Sequence, residues 1–232
     1  MMTKSTHAPL FVVLALTLLA AGCSRQPEPA KDAAQERAQS QQQPAPAPPP
    51  APEEKKADVP PKTDAKTFRV RFDTSRGPIL VEVHRDWAPI GARRFEELVK
   101  AGYYNGARFF RVVPNFVVQF GLAADPAVTR KWDKTIPDDP VLQTNRVGSL
   151  VFATAGPNTR TTQLFINLKS NQSLDDQGFA PFAMVVEGMD VVQNIYPGYG
   201  ENPDQGQITA RGNAYLTTAF PKLDYIKKAT IL

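Results

Sequence analysis

The apolar run FFRVVPNFVVQFG, Phe109 to Gly121, carries two side chains able to do chemistry, the guanidinium of Arg111 and the amide of Gln119. A guanidinium is almost never fully buried alone, because stripping water from a permanent charge costs several kcal/mol even after relaxation. Arg111 therefore either lays its stem on apolar surface with its head in water, or it presents a fixed donor to a ligand. The remaining reactive inventory is thin. Cys23 is the only cysteine, which excludes an internal disulfide, a cysteine-based zinc site and a CxxC redox pair. His7 and His84 are the only imidazoles, and no carboxylate or hydroxyl partner for His84 can be identified, so it reads as structural rather than as a base. GYGENPDQG is rich in glycine but lacks the strand-GxGxxG-helix setting of a phosphate loop, and reads as a turn-rich connection. The formal charge of +4 is spread among acidic residues with no basic run, which argues against a nucleic-acid partner.

The elements that must position Arg111 are mostly strands. KTFRVRFDT alternates Phe68, Val70 and Phe72 with Arg69, Arg71 and Asp73, a half-buried strand that SRGP turns into a second strand, ILVEVH. APIGARRFEELVKAGYYNG changes period: Pro89 suits a first helical turn, Ala92, Phe95, Leu98 and Val99 share a face, and Gly102 supplies the stop. FRVVP, FVVQFG, SLVFATA, TQLFINL, FAMVVEG and DYIKKATI read as further strands, and GMDVVQNIY as a second helix. Trp132 falls in a longer charged loop. Many short strands with two helices predict a closed or nearly closed antiparallel barrel.

The N-terminus has a different composition. Residues 1–22 combine a short basic region, the apolar run LFVVLALTLLAA and a small-residue junction, the layout of an export signal. LLAAGC resembles a bacterial lipobox, which makes Cys23 the lipidated first mature residue and a membrane anchor. Ser24 after it, rather than aspartate, implies the outer membrane facing the periplasm. Residues 23–65, with QQQPAPAPPPAP at their centre, have almost no large apolar side chain and predict a disordered Pro-rich tether.

FRVVPNFVVQFG, then FATAGPNTRTTQLFIN, then LDDQGFAPFAMVVEGMDVV, in that order, resemble the cyclophilin family of peptidyl-prolyl cis-trans isomerases over 66–232. The resemblance implies a mostly-β fold, an eight-stranded antiparallel barrel capped by two helices. It also implies rotation of Xaa-Pro bonds in proline-containing polypeptides, with no metal and no cofactor. Uncatalysed, that rotation faces a barrier of about 18–20 kcal/mol, since amide resonance must be broken. What is needed is a pocket for the proline ring and a donor to the nitrogen lone pair freed in the twisted amide. By residue match Arg111 is that donor, Gln119 orients it, and Phe116 stands with them as the catalytic group. Val117, Phe165 and Leu174 match the rest of the proline pocket, and Ala153, Thr154 and Gln163 match the groove that holds the peptide.

Several positions depart from the family pattern. Val117 stands where methionine is usual and Thr154 where asparagine is, Phe179 replaces a histidine that closes the pocket, and Ser173 replaces a tryptophan. The last substitution removes an indole donor and a wall of the groove, which predicts tolerance to cyclosporin. Taken together, the sequence points to a monomeric, lipid-anchored isomerase acting on envelope or periplasmic polypeptides. The alternatives are a non-catalytic module that binds proline segments as a chaperone, and a structural lipoprotein.

Overall fold

A computed structural model describes residues 66–232. The export signal at 1–22, Cys23 and the tether at 23–65 lie outside the described residues. Eight strands form one sheet: β1 Thr67–Thr74, β2 Pro78–His84, β3 Arg111–Val113, β4 Val117–Phe120, β5 Ser149–Phe152, β6 Leu164–Asn167, β7 Pro181–Glu187 and β8 Ile226–Ile231. Their order is β3-β4-β6-β5-β7-β2-β1-β8, and the paired neighbours run antiparallel. The sheet curls until its two edges nearly meet. The chain entering β3 bonds to the chain entering β8 through Phe109 N to Asp224 O (3.0 Å) and Ile226 N to Ala107 O (2.9 Å). This near closure leaves little unpaired edge.

The first hairpin forms as its alternation predicts. Val70 and Phe72 of β1 and Ile79, Val81 and Val83 of β2 point into the core, while Arg69 pairs with Glu82 directly across the strands. Helix α1, Pro89–Lys100, buries Ala92, Phe95, Leu98 and Val99. Ala88 cannot cap it, so the cap comes from a distant carboxylate: Asp139 accepts from Ile90 N (2.9 Å) and Gly91 N (2.8 Å). Arg160 in turn donates to Asp139 Oδ2 from Nη1 and Nη2, each at 3.0 Å. Both ions are buried, so each requires the other. Edge-on contacts among Phe72, Phe95, Tyr104, Phe109 and Phe120 fill the barrel interior.

The helix content exceeds the two helices of the family pattern. GMDVVQNIY does form one, α3, Met189–Gln193. Three further short helices were not expected: α2, Pro126–Trp132; α4, Gln205–Arg211; and α5, Asn213–Ala219. Asp125 caps α2 through Ala127 N (2.8 Å), and Asp204 caps α4 through Gln207 N (2.7 Å). GYGENPDQG is therefore a turn only as far as Asp204, whose side chain starts a helix. Gly212 joins α4 to α5 at φ +54°, where a Cβ would stand 2.3 Å from Ala124 O, so the corner requires glycine. Trp132, expected in a loop, ends α2 and packs edge-on against Tyr103 (6.5 Å). Its role is packing.

Candidate active site

Strands β4, β5 and β6 are buried on both faces, which explains why the opening run reads as continuously apolar. Val118, Phe120, Leu150, Phe152, Leu164 and Ile166 fill the interior, and the alternate residues Val117, Val151 and Phe165 build a second apolar cluster outside it with Leu174. Register then places the polar residues. Arg111 is opposite Gln119, Gln119 opposite Phe165, and Phe165 opposite Val151, so one row crosses β3, β4, β6 and β5 on the outer face. Directly opposed residues lie about 5 Å apart at Cβ. A charged donor and a side-chain amide thus stand at one end of the row, with apolar residues at the other.

The resulting cavity, ≈ 160 Å³, is lined by Arg111, Phe116, Val117, Gln119, Ala153, Thr154, Phe165, Leu174 and Phe179. Arg111 Nη1 donates to Gln119 Oε1 (3.2 Å), and Gln119 Nε2 donates to Gln163 Oε1 (2.9 Å). Gln119 is buried, so this relay fixes its amide with the oxygen toward the guanidinium. Phe116 lies under the same guanidinium, 5.9 Å from its centre, and Phe179 meets Phe165 edge-on at 5.6 Å. Ala153 N donates to Gln163 O (2.9 Å), closing the base of the loop that carries Thr154. The Thr154 hydroxyl accepts from Gly156 N (3.1 Å) and also bonds Gly156 O, so it is engaged within its own loop.

An apolar pocket of this size, with one guanidinium donor at its rim and a side-chain amide holding that donor, suits a small ring whose polar bond lies at the mouth. Residues 69–211 match the family described as cyclophilin type peptidyl-prolyl cis-trans isomerase/CLD. The chain belongs to that family. A peptidyl-prolyl cis-trans isomerase of Acinetobacter baylyi is 37% identical over 132 residues, covering 54% of this chain and 70% of its own. The mouse peptidyl-prolyl cis-trans isomerase-like 1 is 34% identical over 146 residues, covering 60% of this chain and 85% of its own. The crystal structure of a Cryptosporidium parvum cyclophilin type isomerase superposes with a TM-score of 0.55 at 23% identity, covering 72% of this chain and 98% of that one, a likeness of fold. This cyclophilin is accordingly a peptidyl-prolyl isomerase.

The structure gathers all ten of the sequence-selected pocket and groove residues: nine line the cavity, and Gln163 stands behind Gln119. Ser173 is exposed in a 3-10 turn, Gln172–Leu174, and is not part of the lining. His84 stacks on Trp87 (3.7 Å between ring centres) with Nε2 3.5 Å from Glu82, away from the cavity-lining set. Its carboxylate neighbour, not identifiable from sequence, comes from its own strand.

A buried amide network beneath the pocket escapes sequence reasoning. Asn171 Nδ2 donates to Phe116 O (3.1 Å) and to Asn167 Oδ1 (2.7 Å). Asn167 Nδ2 donates to Asn145 Oδ1 (3.1 Å) and Ser149 Oγ (2.8 Å), and Asn145 Nδ2 donates to Phe179 O (2.8 Å) and Asp175 Oδ1 (2.7 Å). The two aromatic walls are therefore held by their backbones through one chain of amides. Glu201 also went unrecognised: its Oε1 lies 2.6 Å from Arg111 Nε. No spacing rule connects these residues, since each comes from a different loop or strand end.

Proposed function

We propose that this isomerase turns over Xaa-Pro bonds of envelope or periplasmic polypeptides by non-covalent catalysis centred on Arg111. The proline ring enters among Phe116, Val117, Phe165, Leu174 and Phe179, where burial of its apolar face supplies binding. Ala153, Thr154 and Gln163 align the flanking peptide. As the amide twists, its nitrogen regains a lone pair, and the Arg111 guanidinium donates to it. That bond is stronger in the twisted state than in either planar isomer, which is the condition for acceleration. Gln119 keeps the donor aimed, so little reorganisation accompanies the step. The observation carrying this reading is the Arg111 to Gln119 bond at 3.2 Å on the rim of a mostly apolar cavity.

Anchoring belongs to the same proposal. The lipobox-like LLAAGC and Ser24 support export and acylation of Cys23, with the Pro-rich tether holding the domain at the outer membrane in the periplasm. Each acyl methylene buried in lipid contributes about 0.8 kcal/mol, and two or more chains give lasting attachment. Exchange NMR on Xaa-Pro peptides tests the reaction: cis and trans signals should exchange faster in the presence of the protein. Binding without added exchange would instead support the chaperone reading. Metabolic acyl labelling should mark the wild type and not Cys23→Ser, and an unlabelled wild type would contradict the anchor.

A further inference from the structure

The chain from Pro197 to Leu223, part of which read as a plain connection, brings a carboxylate to the pocket. At the outer edge of the sheet, Gly200 O accepts from Val112 N (3.1 Å), so this segment covers the edge strand β3. Tyr199 packs edge-on against Phe220 (5.1 Å) and Tyr196 (5.2 Å), and it seals a cluster of Phe110, Leu122, Ile208, Leu216 and Leu223. The residue after Gly200 is thereby fixed beside β3. Glu201 Oε1 lies 2.6 Å from both Nε and Nη2 of Arg111.

We propose that Glu201 is a positioning residue that clamps the Arg111 guanidinium against Gln119, and that its charge offsets that of Arg111, shifting the rim away from acidic and toward cationic residues before proline. The inference rests on the role of Arg111 given above. Gln119 holds Nη1 and Glu201 holds Nε and Nη2, so the plane of the fork is set from two sides. One N–H on each Nη is left for a ligand. The carboxylate has two opposing effects on the arginine. It removes rotamer freedom from a long stem, which aids a reaction that needs an aimed donor, and it draws off positive charge, which weakens that donor. The Glu201 side chain is 62% exposed, so water screens its field, whereas the geometric restraint is not screened. Orientation therefore dominates. The residue before proline supplies the carbonyl of the rotating amide and is held next to the guanidinium, so its side chain meets the same rim charge.

The test uses the full chain, with Glu201→Gln and Glu201→Ala, on peptides carrying Lys, Ala or Glu before proline. On the Ala peptide kcat/KM should fall about three- to tenfold, roughly 0.7–1.4 kcal/mol at 1.36 kcal/mol per decade, chiefly in kcat. The Lys-to-Glu preference should shift toward Glu by about threefold or more, and the shift should collapse near 1 M salt. In 15N–1H spectra the Arg111 Nε–H, assigned by its absence in Arg111→Lys, should be protected in the wild type and lose protection in Glu201→Gln. A wild type that turns over while both variants keep its kcat and its charge preference overturns the inference and leaves the isomerase mechanism standing. A wild type inactive on every peptide overturns the mechanism instead. In that case an unprotected Arg111 Nε–H rejects the clamp as well, and a protected one supports it.

Discussion

Asn167→Ala isolates the amide network beneath the aromatic walls. Asn167, Asn145 and Ser149 have no exposed surface, and Asn171 is nearly as buried. Removing the Asn167 amide strips Asn145 Oδ1 of its donor, Asn171 Nδ2 of one acceptor and Ser149 Oγ of one donor. A buried orphan costs about 1–3 kcal/mol. Asn171 Nδ2 keeps Phe116 O and Ser149 Oγ keeps Arg146 O, so only the Asn145 oxygen bears the full cost. The sum is about 2–4 kcal/mol, or roughly 4–16 °C in Tm for a domain of this size. That falls within the stability of an ordinary domain, so the variant should fold. Thermal unfolding followed by circular dichroism measures the loss. Because the network holds Phe116 O and Phe179 O, KM for an Xaa-Pro peptide should rise more than kcat falls. A Tm within about 2 °C of wild type, with KM unchanged, would refute the role given to this network.

Asp224 should make stability acid-sensitive. Burial alone would raise its carboxyl, but hydrogen bonds from Arg76, Ser75 and Tyr196 N outweigh that and hold it below its ordinary value. A depressed folded pKa means the stabilisation is complete above the unfolded value of about 3.9 and is lost as pH falls through the folded one. Asp224→Asn should thus unfold about 1.5–3 kcal/mol more easily at neutral pH, with the gap from wild type narrowing at the acid end of a urea-melt series. Gly212→Ala should destabilise by about 1–3 kcal/mol in the same melts, since its Cβ would meet Ala124 O at a positive φ. Ser173→Trp should strengthen cyclosporin inhibition by about one to three decades while changing kcat/KM far less, and nanomolar-class inhibition of the wild type would contradict the reasoning.

Legibility in the sequence followed the length and regularity of the pattern. Strict alternation marked β1 and β2, and the shared face of Ala92, Phe95, Leu98 and Val99 marked α1. The pocket was legible only through motif resemblance, because Phe116 comes from the β3–β4 turn while Leu174 and Phe179 bracket another, and no periodicity links them. Helices α2, α4 and α5 have seven residues each, under two turns, too short for a 3.6-residue period to stand out. Their caps were visible as Asp125-Pro126 and as Asp204 three residues before Gln207, but Gly206 and Gly212 broke the helical pattern after Asp204. The asparagines and Glu201 lacked even that, since polar residues in loops are ordinarily solvated.

The central claim is that Arg111 acts on the twisted amide rather than on the fold. Steady-state isomerase kinetics of Arg111→Ala, with thermal unfolding and proline-peptide affinity measured on the same sample, test it most directly. The account predicts an unchanged Tm, peptide binding within a few-fold of wild type, and turnover lower by about two to three orders of magnitude, roughly 3–4 kcal/mol for one well-placed charged donor. A folded Arg111→Ala variant that keeps wild-type turnover would contradict it.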